Sequence, residues 1–529
     1  MKKKSLDTIE KIHKSPLSKA WKTIGIFDHH GINIPLFSLH SNNSCGIGEF
    51  LDLKLLIDFC KCIRFDIIQL LPLNDSGYEN SPYNAISSKA LNPIYLSLKA
   101  LPYCQSDGEL ARELGGFNKY THLQRIAYNA VLNAKMDFLR LYYKKYFPLV
   151  QNSPAYKTFI KKNPWLYSYG LFKMLKEGYA HRKWSSWPSK HRNLSKTLKK
   201  NLLLEKKAEI DFYIFLQFLC FSQMEEVKGY AEKNGVFLKG DIPILVSSES
   251  VDVWDNPGNF DLHFSAGAPP DEFCKKGQNW GFPIYNWTHV ELSDYLFWKD
   301  RLQIAACFYH LYRIDHIIGL YRIFARDRKD PHDKGCYIPS DPNLALCQGS
   351  RIIEKLISLT GMLPIGEDLG VVDPSFKENM TFHTLPGTKV PFWEKIKNTY
   401  IHGKDYPPIS LTTVSTHDSE SLTLWWNNHP EEAKHFASCY QIEYQPTLSP
   451  STRYKILKDS HHSASLFHIN LLPEYLSLFE DLTWDDPREE RINLPGTVLP
   501  SNWCYRTRPS LEFILRHDSL KAAMKTLIS

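Results

Sequence analysis

Three acidic residues in this chain close apolar runs and are of a type and spacing suited to chemistry. Asp315 ends Leu311-Tyr312-Arg313-Ile314-Asp315, Glu367 follows Met362-Leu363-Pro364-Ile365-Gly366, and Asp418 closes Leu411-Thr412-Thr413-Val414-Ser415-Thr416-His417. The first run is short and rich in Tyr and Ile, so it reads as a buried strand. Side chains two apart on a strand point the same way, which sets the Arg313 guanidinium beside the Asp315 carboxylate. A neighbouring cation keeps a carboxylate ionised, the state a carboxylate nucleophile requires. The same spacing also suits a structural ion pair at a strand end. The three acids lie about fifty residues apart, room for a strand, its return helix and an insertion. Acids at the C-terminal ends of several barrel strands converge on one mouth. Taken singly, each also suits a helix cap or a loop contact.

The elements that must position these acids can be read in order. Residues 1–25 are polar and basic and read as a loosely attached N-terminal arm. Gly31–Ser38 leads through the turn Cys45-Gly46-Ile47-Gly48 into Glu49–Cys62, where Phe50, Leu53, Leu56, Ile57, Phe59 and Cys60 recur at helical spacing. Phe65–Leu73 is a strand ended by Pro72, and the three together make the strand–helix–strand step of a parallel sheet. A polar loop, Asn74–Tyr83, follows it, where such sheets build their sites. From about 104 to 210 the pattern is a mostly helical insertion. It contains a basic piece around Trp184 and Trp187 that lacks any groove-reading motif and reads as a solvated surface. Val236–Val246 resumes the strands. The long loop 256–287 carries Trp280, Phe282, Tyr285 and Trp287, too aromatic for a disordered linker. A smaller helical insertion is expected at about 420–480, before the closing segment Arg491–Thr497. Residues 26–529 thus read as one α/β unit.

Composition excludes several alternatives. The 529 residues are 43% hydrophobic, 13% aromatic and 23% charged, an ordinary globular balance. A net charge of +7, from 64 basic and 57 acidic residues, is small and dispersed, so no nucleic-acid partner is expected. Eleven cysteines are scattered without zinc spacing, which suits free thiols in a reducing compartment. Met1-Lys2-Lys3-Lys4 runs into polar sequence with no apolar signal core, and Phe212–Phe221, the richest apolar run, is too short to span a bilayer. A cytoplasmic protein without a membrane partner is the expectation; oligomeric state is not legible.

The acids also sit inside recognisable segments. Arg313-Ile314-Asp315-His316, Gly366-Glu367-Asp368-Leu369-Gly370 and Thr416-His417-Asp418 resemble the signature segments of the 4-α-glucanotransferases known as amylomaltases or disproportionating enzymes. The resemblance continues through Leu70–Leu73, Ser81-Pro82-Tyr83, Gly240-Asp241-Ile242-Pro243, Ala266–Tyr285, Pro386–Val390 and Arg491–Thr497, in the family's order over roughly residues 30–510. Ile317–Ile323, Ser415–Glu420 and Gly277–Trp287 look closer to the catalytic part of the plant cytosolic type. That type's starch-binding modules and long central insertion are absent here.

The resemblance implies a (β/α)8 TIM-type barrel with mostly helical insertions, retaining chemistry on α-1,4-glucan donors and acceptors, and neither metal nor cofactor. Carried over by residue, it implies Asp315 as nucleophile, Glu367 as acid/base and Asp418 as transition-state stabiliser. Tyr83, Asp241, Gln278, Trp280, Arg313, His417 and Asn493 are implied sugar-binding positions. Retaining transfer needs one ionised carboxylate to attack the anomeric carbon and one protonated acid to release the leaving sugar, about 5–5.5 Å apart. Glu367 must therefore have a raised pKa, which a nearby carboxylate would supply. Asp368, adjacent on an extended segment, should point away and serve structure. A loop that excludes water from the covalent intermediate favours transfer over hydrolysis, and 256–287 is the expected loop. The same trio in a hydrolase, or the cleft in a non-catalytic glucan-binding protein, are the alternatives.

Overall fold

Eight short parallel strands form the centre of the molecule, seen here in a computed structural model that describes residues 6–270, 277–330 and 334–529. They are β1 (His29–Asn33), β2 (Ile67–Gln69), β3 (Phe237–Pro243), β4 (Leu311–Asp315), β5 (Leu363–Gly366), β6 (Gly387–Lys389), β7 (Ser410–Thr412) and β8 (Phe467–Leu471). Hydrogen bonding runs β5-β4-β3-β2-β1-β8-β7-β6. The Gly366 N–H then donates to the Pro386 carbonyl at 2.8 Å, and the Thr388 hydroxyl to the Gly366 carbonyl at 3.0 Å, which joins the two ends. Closure leaves no edge strand. The expected (β/α)8 barrel is present.

Register decides what the barrel presents. Gln69 pairs with Lys239, Asp241 with Arg313, and Ile365 with Arg313. Paired residues share a face and alternate along the strand, so Lys239 and Asp241 on β3 point the same way as Arg313 and Asp315 on β4. A layer of apolar residues beneath them would do for packing; a layer of charge at the strand ends marks the working mouth.

Return helices are specified locally. Pro342–Ser358 starts at Asp341, whose carboxylate accepts the Leu344 N–H at 2.8 Å, with Pro342 in the first turn. Its Ile352, Ile353 and Leu356 are buried, so the helix lies against the sheet and delivers the chain to β5. Lys207–Lys233 is different. Residues buried on nearly every side, Phe212 to Met224 among them, show a helix enclosed between the barrel and the helices Tyr128–Val150 and Trp165–Gly178. The basic piece between Trp165–Gly178 and Lys207–Lys233 is anchored, with Trp184 Nε1 donating to the Ser248 carbonyl at 2.7 Å and Trp254 Nε1 to that of His191 at 2.9 Å. Among the described residues, no helix is long and apolar enough to cross a membrane.

Two expectations change. The N-terminal arm is not loose over its described residues. It forms helices Leu6–Lys14 and Ser18–Ile24, and Ile12, Leu17, Trp21 and Ile24 are buried. Trp21 lies 5.6 Å from the Phe467 ring and donates Nε1–H to the Thr384 carbonyl at 3.2 Å. His29 stacks on the same Phe467 at 5.1 Å, so these rings close the barrel at the start of its strands. Apolar residues scattered among seven lysines in the first 25 positions do not signal this.

The region 420–480 is not only a helical insertion. Helices Leu422–Asn428, Pro430–Cys439 and Pro450–His461 precede the fully buried strand β8. Its residues alternate apolar and polar, with His468 and Asn470 between Phe467, Ile469 and Leu471, yet all five are buried, and the helix Leu472–Leu476 follows directly. The loop 256–287 is, as expected, ordered over its described residues. Its strands Phe264–Ala268 and Gln278–Asn279 join Ile323–Asp327 and Cys336–Ile338 in a four-stranded antiparallel sheet. Residues 271–276 of that loop lie outside the described residues.

Candidate active site

Asp315 is the last residue of β4, and Glu367 is the first beyond β5. Asp418 lies six residues past β7, on a tight turn rather than at the strand end. Arg313 gathers the acids. Its Nη1 is 2.7 Å from Asp315 Oδ1 and 2.8 Å from Asp241 Oδ2, and its Nη2 is 3.8 Å from Glu367 Oε2. The expected Arg313–Asp315 pair is therefore present, but the guanidinium is shared among three carboxylates. Tyr83, brought in by the loop after β2, donates its hydroxyl to Asp241 Oδ2 at 2.7 Å. Burial and the neighbouring Asp241 hold the Tyr83 pKa well above its ordinary value, so that hydroxyl keeps its proton.

Glu367 is treated differently from Asp315. Its Oε2 accepts the His316 backbone N–H at 2.8 Å, and Oε1 accepts the Leu369 N–H at 3.2 Å. His316 takes φ +49°, the left-handed region that side-chain-bearing residues rarely adopt, and that bend aims its N–H across to β5. Burial pushes the Glu367 pKa up to about 7, against the pull of Arg313 and with help from Asp315. A neighbouring carboxylate alone, the cause expected from sequence, is the smaller part: desolvation is the larger cause, and Asp315 adds to it. Asp368 turns away and accepts the Thr388 N–H at 2.7 Å, a structural contact between β5 and β6.

Asp418 opens onto the cleft, with 46% of its side chain exposed. The protein packed around its sides raises its pKa, but His417 and Asn493 outweigh that and hold it at about 2. His417 Nε2 is 3.3 Å from Asp418 Oδ2, and Asn493 Nδ2 donates to Oδ1 at 2.7 Å. The buried His417 ring stacks on Tyr83, with centroids 5.3 Å apart and 16° between planes. That stack joins the Asp418 group to the Arg313 group.

Gln278 and Trp280 form a third group. Trp280 donates Nε1–H to Gln278 Oε1 at 2.9 Å and meets the His316 ring edge-on at 5.1 Å. So the structure brings Tyr83, Asp241, Arg313, Asp315 and Glu367 into one network, with His417, Asp418 and Asn493 beside it and Trp280 against its rim. Two contributors escaped sequence reasoning. Trp503 packs near both Tyr83, at 5.6 Å, and His417, at 5.9 Å. The His316 backbone amide acts through a conformation that its residue type does not announce.

A carboxyl raised to about 7, the ionised Asp418 and a neutral hydroxyl side by side suit acid-assisted displacement at an acetal carbon. Comparison with known proteins agrees. Residues 34–512 match the glycoside hydrolase 77 family model, described as 4-alpha-glucanotransferase. The chain belongs to the 4-alpha-glucanotransferase family. It is 44% identical over 523 residues to a 4-alpha-glucanotransferase of Chlamydia pneumoniae, covering 97% of this chain and 98% of that one. Likeness to the plant type is also present, in part: the rice (Oryza sativa subsp. japonica) 4-alpha-glucanotransferase DPE2 is 36% identical over 62% of this chain and 35% of its own length. An amylomaltase from Streptococcus agalactiae, solved in complex with acarbose, superposes with a TM-score of 0.81 over 95% of this chain and 99% of that one. At 22% identity, that likeness concerns the glucanotransferase fold alone.

Proposed function

We propose that this glucanotransferase moves glucosyl or maltooligosyl units between α-1,4-glucans by a retaining double displacement at the cleft around Arg313. One observation carries the reading. Two carboxyls at the ends of neighbouring strands meet the same guanidinium unequally: Asp315 at 2.7 Å, and Glu367, 15% exposed, 3.8 Å away and pushed up to about 7. One is paired and ready to attack; the other can hold a proton at neutral pH.

In the first half-reaction Glu367 gives its proton to the glycosidic oxygen while Asp315 attacks the anomeric carbon, leaving a glucosyl ester on Asp315 and a free leaving sugar. In the second, the Glu367 carboxylate takes a proton from the acceptor's 4-hydroxyl, whose oxygen displaces Asp315 from the anomeric carbon. Asp418, ionised and open to the cleft, accepts hydrogen bonds from sugar hydroxyls that strengthen as positive charge develops in the ring. Tyr83, Asp241 and His417 line the face where the reacting sugar sits. Arg313 holds Asp315 in place and steadies the negative charge shared there. Gln278 and Trp280 cover the ester and slow its capture by water, while Asn493 fixes Asp418. The proposed setting is the cytoplasm, in keeping with the free thiols of the described cysteines.

Incubation with maltotriose, followed by chromatography of the products, tests the proposal. Longer maltooligosaccharides together with glucose are expected. Maltose and glucose alone would mean hydrolysis, and unchanged maltotriose would mean a binding protein.

A further inference from the structure

Asp418 rides on a loop that has left its strand, so something other than the sheet must hold it. β7 ends at Thr412, and the next helix begins at Leu422. Between them the backbone at Val414 is tied to β8 by the Asn470 side-chain carbonyl, which accepts the Val414 N–H at 2.8 Å. Beyond that point one buried oxygen holds both ends of the segment. Glu474 Oε1 accepts the Ser415 hydroxyl at 2.6 Å and the Leu422 N–H at 2.9 Å. Those two donors stand at either end of the segment that carries His417 and Asp418.

Glu474 is 1% exposed, on the short helix Leu472–Leu476 that follows β8. Its second oxygen, Oε2, lies 3.8 Å from Arg453 Nη1, beyond hydrogen-bond reach, and neither atom has a hydrogen-bond partner. Arg453 itself donates Nη2–H to the Thr423 hydroxyl at 2.7 Å, so it braces the helix start that Glu474 also holds. A buried carboxylate is costly unless its oxygens are satisfied. A fully apolar residue here would pack the helix at less cost. What the carboxylate adds is one acceptor that closes the 415–422 loop as a ring.

We infer that Glu474 is a positioning residue for the glucan-transfer reaction: by clamping Ser415 and Leu422 to one oxygen it sets where His417 and Asp418 stand in the cleft. The inference rests on the proposed role of Asp418. Asn493 holds the Asp418 carboxylate directly, from the cleft side, at 2.7 Å. Glu474 acts from behind, through the backbone, and touches no sugar.

The distinguishing variants are Glu474→Gln and Glu474→Ala. Glutamine keeps the carbonyl oxygen that accepts both loop donors but removes the charge facing Arg453. Alanine removes both. With maltotriose as substrate, E474A is expected to lose about 100-fold in kcat, the scale of a misplaced catalytic group, with little change in KM. E474Q should keep kcat within about threefold of wild type while its unfolding midpoint falls, because buried Arg453 loses its counter-charge. That split between activity and stability is one a merely structural carboxylate does not produce. Equal loss of kcat in the two variants, or wild-type kcat in E474A, overturns the inference. If E474A does not fold, Ser415→Ala decides: a smaller fall in kcat at unchanged KM supports the clamp, and wild-type kcat refutes it. Asp418→Asn is run alongside. Undiminished transfer in D418N removes the role of Asp418 itself, whatever the Glu474 variants do.

Discussion

Arg313 Nη2 stands 3.8 Å from Glu367 Oε2, near enough to act on its charge and too far to bond it. The same guanidinium bonds Asp315 and Asp241 through its other nitrogen. In the proposed mechanism these two carboxyls take different roles, and the pH dependence of the enzyme should report the separation.

In the proposed mechanism Glu367 must be protonated to release the leaving sugar, and its pKa is raised to about 7. A raised acid is protonated below that value and lost above it. The kcat/KM for maltotriose should therefore be level below pH 7 and decline above it, each pH unit removing an equal factor. Measuring initial rates from pH 5 to 9 checks this. Glu367→Gln should abolish the decline along with about 10²–10⁴-fold of the rate.

Arg313→Ala removes the nearest positive charge from that carboxyl. Arg313 lowers the Glu367 pKa, so its loss should move the alkaline decline to higher pH, though at much reduced rate. The buried Asp241 would be left without its cation, and the variant should be less stable by about 3–5 kcal/mol. Urea unfolding and the pH–rate profile measure the two effects independently.

Trp280 covers the rim and meets His316 edge-on. Trp280→Ala should admit water to the covalent intermediate. The ratio of reducing ends released to oligosaccharide transferred is expected to rise several-fold, while total turnover of donor changes less. Quantifying glucose against maltopentaose at early times gives that ratio. An unchanged ratio would assign the exclusion of water to other parts of the cleft.

Trp21 closes the barrel from the end opposite the acids. Trp21→Ala should cost about 3–5 kcal/mol of stability, and the folded variant should transfer glucosyl units at the wild-type rate. Denaturation curves and activity at a temperature well below the unfolding midpoint separate the two.

Much of the catalytic mouth was legible in sequence because short-range rules govern it. Leu311–Asp315 and Met362–Gly366 are apolar runs with period-two faces, and their acids fall where barrel strands end. Elsewhere long-range contacts decide. β8 is a five-residue run set closely between the helices Pro450–His461 and Leu472–Leu476, and its His468 and Asn470 are buried and hydrogen-bonded to Ser460 and Tyr475; read locally, so short an alternation merges into the helical sequence around it. The N-terminal helices owe their order to Trp21 meeting Phe467, more than four hundred residues away in sequence. No local pattern announces that Asp241 shares the cation of Asp315, since the pair depends on the β3–β4 register. The clamp by Glu474 is invisible for the same reason.

The account stands most directly on Asp315 as the attacking carboxylate. A 5-fluoro maltosyl fluoride, which forms the glycosyl ester readily and loses it slowly, should label the enzyme once per chain. Peptide mapping by mass spectrometry is predicted to place the sugar on the peptide containing Asp315, and Asp315→Ala should take up none. A label on Glu367, Asp418 or Asp241, or labelling that survives in D315A, would contradict it.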